Sequence, residues 1–297
     1  MVAGLYRWIL PEGLRKVVYA VFLGKLLSFI RNFRMNFRSK FTYIFQFVLP
    51  KNDLNTALAF MGRHGLTSYP SEYMLEYKNK EIDIRFDIEK QLYYCMHNGR
   101  KLYFTAAFSK DRIVKLYRSL ITEQDVRSAH RYIDDYDKLT GFTLLDVGSA
   151  EGIFTLDNID RIKHAYLFEA EPYWIDALRA TFEPWRDKIT IIDKYVGDKT
   201  TGNFITLDNF CEERQMDKLF LKMDIEGAEL SALQGAQKIL KNTREMRIAV
   251  CTYHKPGDPD RFETILKENG FETSFSEGYL FWGKRLSKAV IRGVKSS

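Results

Sequence analysis

Cysteine is scarce in this chain of 297 residues: Cys95, Cys211 and Cys251 stand far apart and form no CxxC pair. That excludes a zinc site and a disulfide frame, and the three read as reduced core residues of a cytosolic protein. Low-complexity tracts and internal repeats are missing too, which sets aside disordered tails and solenoids. No stretch suits a bilayer span, because Val17–Ile30 is broken by Gly24, Lys25 and Ser28 and a span takes about 20 apolar residues. The same stretch makes a poor signal peptide, since no small-residue cleavage site precedes the basic run after it. The remaining composition is that of a folded globular protein with ample core.

The net charge of +6 is localised. Residues 1–50 carry Arg7, Arg15, Lys16, Lys25, Arg31, Arg34, Arg38 and Lys40 against Glu12 alone. Set against 45 basic and 39 acidic residues in the whole chain, that leaves the rest close to neutral. No basic stripe accompanies the later motifs, which argues against nucleic acid as a partner. In the same segment phenylalanine recurs every fourth residue, at Phe29, Phe33, Phe37, Phe41 and Phe45. On a helix these form a slowly rotating stripe continuous with Val18, Phe22, Leu23, Leu26 and Ile30, with Arg31 and Arg38 beside it. Two readings stand. The stripe is covered by the protein's own core or by a second subunit of a homo-oligomer, or it lies peripherally on the inner face of a membrane, drawn to anionic lipid.

Residues 70–108 read as β-structure, with strands at Tyr73–Tyr77, Glu81–Phe86, Leu92–Met96 and Lys101–Phe104 and a hairpin turn at Asn98–Gly99. Ser109 then caps a helix with Ile113, Val114, Leu116, Tyr117, Leu120 and Ile121 on its apolar side. Glu123–Tyr132 is dense in hydrogen-bonding side chains and leads into the next strand. Such a segment often lies across that strand's carboxyl end, which makes Gln124, Asp125, Ser128, His130 and Tyr132 candidates for the substrate pocket. A solvated helix is the alternative.

From Thr143 strands and helices alternate: Thr143–Val147, a short helix from Gly152, Ala165–Phe168, the helix Tyr173–Phe182, Ile189–Asp193, Leu219–Ile225, a helix over Ala228–Leu240, Arg247–Cys251, and a helix near Pro259–Glu268. That is the α/β pattern of a doubly wound parallel sheet. Phe271–Phe275 and Tyr279–Trp282 are expected to add to it as an antiparallel hairpin.

The first of these strands runs into LLDVGSAEG, Leu144–Gly152. Gly148 and Gly152 permit a tight turn and close backbone approach, with the small Ala150 between them. The second strand ends at Glu169, whose carboxylate can hold both hydroxyls of a ribose. Either feature fits any nucleotide-type cofactor. Asp146 would repel a pyrophosphate yet tolerate the cationic methionine end of S-adenosylmethionine. The GxxxG spacing, with Glu151 in the loop, also differs from the GxGxxG that brings a helix N-terminus to phosphate. The most informative stretch is Phe220–Glu229, FLKMDIEGAE. Lys222 and Asp224 close an otherwise apolar strand, which is costly unless they are paired or functional. The carboxyl end of such a strand is where an open α/β sheet builds its site.

LLDVGSAEG, YLFEAEPYW, TLDNF, LKMDIEGAE with LQGA, and YHKPGD follow in this order within residues 123–283. Together they resemble the FkbM family of S-adenosylmethionine-dependent methyltransferases, which implies a Rossmann-like methyltransferase sheet. The resemblance implies Asp146, Gly148 and Glu169 as cofactor contacts, with Ser149, Ala150, Ala170 and Asp193 beside them. It also implies methylation of a hydroxyl, often on a sugar. Members commonly read FEP where this chain has FEAEP, so the ribose contact is Glu169 or Glu171, with Glu169 favoured by its place at the strand end.

A sulfonium methyl is already activated, so the protein must chiefly align an oxygen nucleophile. Positioning supplies roughly 7–11 kcal/mol in the best intramolecular cases, and a general base about 10²–10⁴-fold. Asp224, Glu226 and His254 project from the ends of the fourth and fifth strands, with His254 as base and Asp224 orienting it or the acceptor; Lys222 stands beside them. A divalent ion held by Asp224 and His254 is the less favoured alternative, and no metal ligand set is assigned. The reading is therefore an O-methyltransferase for a sugar or glycan hydroxyl, laid out as a basic amphipathic helical segment over 1–50, an α+β extension with a small β-hairpin over 51–138, and a methyltransferase domain over 139–297. Its rivals are an NAD-type oxidoreductase, for which a GxGxxG is lacking, and a membrane-associated cofactor-binding scaffold without turnover.

Overall fold

The structure, a computed structural model, describes residues 29–296 apart from Arg31 and Gln215. The expected continuation of the phenylalanine stripe through Val18, Phe22, Leu23 and Leu26 lies outside the described residues. Helices α1 (residues 32–44) and α2 (Asp53–His64) lead to the short α3 (Met74–Lys78), the antiparallel meander β1 (Arg85–Asp87), β2 (Leu92–His97) and β3 (Arg100–Phe104), and α4 (Lys110–Glu123). Then follow β4 (Thr143–Val147), α5 (Ile153–Asn158), β5 (His164–Phe168), α6 (Pro172–Phe182), β6 (Ile189–Ile192), the two-residue strands β7 (Tyr195–Val196) and β8 (Phe204–Ile205), α7 (Leu207–Cys211) and β9 (Lys218–Met223). The chain closes with α8 (Glu229–Gln234), α9 (Gln237–Asn242), β10 (Glu245–Cys251), α10 (Asp258–Glu268), β11 (Glu272–Phe275), β12 (Leu280–Trp282), β13 (Arg285–Ser287) and β14 (Val290–Lys295).

Alternating side chains divide the core in two. Leu144, Phe220, Ala249 and Cys251 enter one apolar cluster, whereas Leu145, Val147, Leu221, Met223, Ile248 and Val250 enter a second, as strands covered on both faces require. The first cluster holds α4, α5, α6 and the β2–β3 hairpin through Tyr117, Phe154, Phe182 and Phe104; the second holds α7–α10 through Phe210, Leu233, Leu240 and Phe262. The seven strands run in the order β11–β14–β10–β9–β4–β5–β6, with β14 antiparallel to both its neighbours. The Rossmann-like doubly wound sheet is thus present. From β4 the chain builds outward to β6 and then returns to β9, so the loops after β4 and β9 diverge over a switch point where such sheets bind ligands.

Four local expectations fail. Tyr73–Tyr77 is not a strand: it overlaps α3, where tyrosines four apart share one side, Tyr73 buried and Tyr77 donating to Asp125. The strand expected over Glu81–Phe86 shortens to β1, since its first residues find no partner strand. The helix over Ala228–Leu240 breaks into α8 and α9 at Gly235–Ala236. The terminal hairpin is not formed, because β11 pairs with β14 while β12 pairs with β13 as a ribbon outside the main sheet. The sequence reading missed β14, although its Val290–Ile291 pair and Val294 are strand-like. The hairpin at Asn98–Gly99 does form, both residues at positive φ.

Helix α1 packs with its polar side inward. Ser39 and Thr42 are buried, and the Ser39 carbonyl lies where a Gly62 side chain in α2 would stand. Phe29, Phe33, Phe37, Phe41 and Phe45 keep 43–69% of their surface exposed, so no described part of the protein's own core covers the stripe. No described helix is long and apolar enough to cross a membrane.

Candidate active site

The switch point is closed from below by glycine. Gly148 has φ +77°, and a Cβ there would lie 1.9 Å from the Asp224 carbonyl oxygen, so the glycine lets the loop after β4 meet the loop after β9. The close approach it permits is therefore protein against protein. Above this contact lies a cavity of about 300 Å³ lined by Gly148, Ser149, Ala150 and Glu151 on one side and by Lys222, Asp224 and Glu226 on the other. Glu123, Gln124, His130 and Tyr132 form a third wall, and Tyr253, Leu280 and Trp282 a fourth. A larger depression of about 860 Å³ beside Gln91 and Arg186 contains none of the motif residues and is not the candidate site.

Lys222 pairs at 2.9 Å with Asp146, its neighbour in register across β9 and β4. Thr155 donates to the other Asp146 oxygen at 2.6 Å, and Asp146 is almost wholly buried. Asp146 thus sets its charge against Lys222 inside the sheet and does not itself line the cavity. Burial works against the lysine's ammonium form, but Asp146 and Asp224 more than offset it and raise its pKa.

Asp224 is the hub of the cavity. Tyr132 donates to its Oδ2 at 2.8 Å and Tyr253 to its Oδ1 at 3.4 Å. The His130 Nε2 and His254 Nε2 atoms stand 3.5 and 3.6 Å from its two oxygens. Burial alone would raise the Asp224 carboxyl, yet His130, Lys222 and His254 hold it well below the usual carboxylate range. His130 also meets the Tyr253 hydroxyl at 3.1 Å; burial lowers its pKa, but Glu123 and Asp224 outweigh this and raise it. Burial lifts the Glu123 carboxyl, and it lifts that of Glu151 to about 8 with Glu123 adding to the effect.

Glu169 accepts the N–H of Ala150 and of Glu171, each at 2.9 Å, which ties the end of β5 to the loop after β4. Burial raises its carboxyl, and its oxygens keep lone pairs for further donors. Glu171 instead accepts from the exposed Tyr195 hydroxyl. Ser149 Oγ is buried without a partner, a donor and acceptor left for a ligand. Ala170 is buried off the cavity, and Asp193 is exposed at the end of β6, away from its lining.

Of the expected substrate residues, Gln124, His130 and Tyr132 line the cavity. Asp125 is engaged by Arg127 and Tyr77, and Ser128 by the His130 N–H, so these two support the wall from behind. His254 does not reach the cavity lining as a base would: its Nδ1 lies 2.8 Å from Glu229 Oε1, and its Nε2 faces Asp224 and Glu226 from behind. Tyr253, Glu123, Trp282 and Glu229 were not singled out from the sequence, and Glu151 was noted only as a feature of the loop. Glu229 closes the DIEGAE motif and Tyr253 opens YHKPGD, so proximity to a motif was the available signal.

Residues 197–273 match the family model described as Methyltransferase FkbM domain. Among curated proteins no sequence matches the chain. Among solved structures, the crystal structure of Methyltransferase FkbM from Methylobacillus flagellatus KT is similar at 18% identity and a TM-score of 0.42, covering 63% of this chain and 56% of that one. The chain thus spans little more than half the length of that protein. Magnesium protoporphyrin IX methyltransferase from Synechocystis PCC 6803, solved with bound SAM, is similar at 14% identity and a TM-score of 0.40, covering 64% of this chain and 86% of that one. Residues 197–273 are thus similar to an FkbM methyltransferase domain, and the match is confined to that part of the chain.

Proposed function

We propose that the chain is an S-adenosylmethionine-dependent O-methyltransferase acting on a hydroxyl of a sugar or glycan. The observation that carries this reading is the Asp224 carboxylate, set at the switch point beside the DVGSAEG loop and held toward the cavity by Tyr132 and Tyr253. The residues fit the cofactor: Ser149 Oγ lacks a partner and Glu169 keeps free lone pairs, as a ligand with hydroxyl and ammonium donors requires. When bound, S-adenosylmethionine supplies a sulfonium methyl open to attack. Asp224 accepts the hydrogen of the acceptor hydroxyl and aims its oxygen, and Glu123 and Glu226 can take further hydroxyls. Tyr253 and Trp282 offer flat apolar faces for a sugar ring. Bound there, the cofactor would give its methyl group to the acceptor oxygen and leave as the thioether with the electron pair of the C–S bond, and the hydroxyl proton would pass to the protein or to water. The same reading places the protein in the cytoplasm, peripheral to the inner face of the membrane, with support from the basic, phenylalanine-rich α1.

Labelled methyl transfer from S-adenosylmethionine into cell-envelope glycan fractions tests the activity. Asp224→Asn is expected to lower kcat by about 10²-fold or more, with affinity for S-adenosylhomocysteine kept within a few-fold. Tight NAD binding without S-adenosylhomocysteine binding would overturn the cofactor assignment. Binding without transfer to any fraction would favour the scaffold reading.

A further inference from the structure

We propose that His130 takes up the proton of the acceptor hydroxyl, with Asp224 and the Tyr253 hydroxyl passing it to the imidazole Nε2. This role rests on the methyl-transfer reading, in which the proton must leave the acceptor oxygen. His130 comes from the segment before β4, Asp224 from the end of β9 and Tyr253 from the end of β10, and all three line the cavity. The His130 side chain is 4% exposed. Its Nε2 lies 3.1 Å from the Tyr253 hydroxyl, 3.5 Å from Asp224 Oδ2 and 3.8 Å from Cys251 Sγ. The Tyr253 hydroxyl in turn lies 3.4 Å from Asp224 Oδ1. Two routes thus join the carboxylate to the ring, one direct and one through the tyrosine.

The surroundings of Nε2 suit both charge states of the ring. The Tyr253 O–H and the Cys251 S–H can donate to its lone pair when the ring is neutral, and Asp224 can accept its N–H when the ring is charged. Nδ1 is buried without a partner, so Nε2 is the atom that couples the ring to these groups.

The other groups around Asp224 are poor places for a proton to arrive. Burial alone would raise the Asp224 carboxyl, yet His130, Lys222 and His254 hold it well below the usual carboxylate range, so it can aim a hydroxyl but not keep its proton. Burial raises the Tyr132 and Tyr253 hydroxyls and the Cys251 thiol well above their ordinary values, and all three stay protonated. Glu151, lifted by burial to about 8, already holds a proton at neutral pH. Glu123 is engaged by the Tyr69 hydroxyl at 2.9 Å, and His254 is turned to Glu229. For His130, burial lowers the pKa, but Glu123 and Asp224 outweigh burial and the opposing Lys222 and raise it. An imidazole set above its ordinary value accepts and releases a proton near neutral pH.

In the transfer the acceptor O–H bond breaks with its electrons staying on oxygen. The proton passes to Asp224 and then to Nε2, either directly or by exchange through Tyr253, which receives one proton and gives up its own. The ring becomes imidazolium. The positive charge lost with the sulfonium reappears beside Asp224, so the net charge of the cavity is unchanged.

The first test needs neither cofactor nor acceptor: ring-nitrogen resonances of the full-length protein followed with pH. His130 is expected to titrate above 6.5, and at lower pH in Glu123→Gln. A ring that keeps one charge state across about pH 5–9 would overturn the role. The second is single-turnover transfer of labelled methyl into the cell-envelope glycan fraction. The wild-type rate is expected to rise with pH through the His130 titration, since only the neutral ring accepts a proton. His130→Gln is expected to lose that rise and about 10²-fold in rate at about pH 8, with S-adenosylhomocysteine affinity kept within a few-fold as the check on folding. Glu151→Gln is expected to keep the rise, which separates the ring from the carboxyl that titrates nearby. A pH profile unchanged in His130→Gln would overturn the proton role and leave the activity standing. No transfer by the wild type would instead overturn the activity reading, and the proton role with it.

Discussion

Glu151 shows how one residue in this cavity couples fold to pH. Buried in the loop after β4, its carboxyl is lifted from the ordinary 4.5 to about 8 by burial, with Glu123 adding to the shift. The folded state therefore keeps a proton that the unfolded chain releases. The stability this contributes is complete below about pH 4.5 and is lost as pH rises through about 8. Glu151→Gln cannot ionise, so it is expected to leave Tm nearly unchanged at pH 5 and to raise stability at pH 9 by about 1–3 kcal/mol. Thermal melts at the two pH values check this, and an equal shift at both would mean the side chain acts through packing alone. Lys222 illustrates the complementary case, a buried charge made tolerable by Asp146 at 2.9 Å.

At the scale of elements, the break between α8 and α9 is a tertiary contact written into one glycine. A Cβ on Gly235 would come 2.0 Å from the Gly197 carbonyl oxygen, although the backbone there, at φ −83°, would suit alanine. Gly235→Ala is therefore expected to destabilise the protein by about 1–3 kcal/mol through overpacking, lowering Tm by about 2–4 °C for each kcal/mol. In an open helix the same change would stabilise by about 1 kcal/mol. A melting curve of the variant distinguishes the two signs, and a higher Tm would show that the β7 loop yields.

For the whole molecule the unusual feature is an inverted helix. Helix α1 turns Ser39 and Thr42 inward and leaves its phenylalanines exposed beside Arg34 and Arg38, at the basic end of an otherwise near-neutral chain. This arrangement predicts binding to anionic vesicles that weakens as salt shortens the reach of the charges. Full-length protein is expected to sediment with such vesicles at low ionic strength, and Phe37→Ser with Phe41→Ser to lose most of that binding while S-adenosylhomocysteine affinity holds. If the wild type stays in the supernatant and sediments instead as a dimer in free solution, the stripe is a subunit contact.

The sequence by itself determined what repeats over short range. The nearly continuous apolar run over Leu219–Ile225 sufficed for a strand covered on both faces, because that reading depends only on neighbours along the strand. The Asn98–Gly99 turn and the glycines after β4 were legible for the same reason, and DVGSAEG with KMDIEGAE pointed to the ends of β4 and β9, where the candidate cavity lies. What depends on a distant partner was not legible. Only the tertiary structure decided that β11 takes β14 as its neighbour, that Lys222 answers Asp146 across two strands, and that His254 turns to Glu229 and away from the cavity. Each is a choice among competing partners brought close by long-range packing, and burial selects the pairing that leaves the fewest charges and polar groups uncompensated.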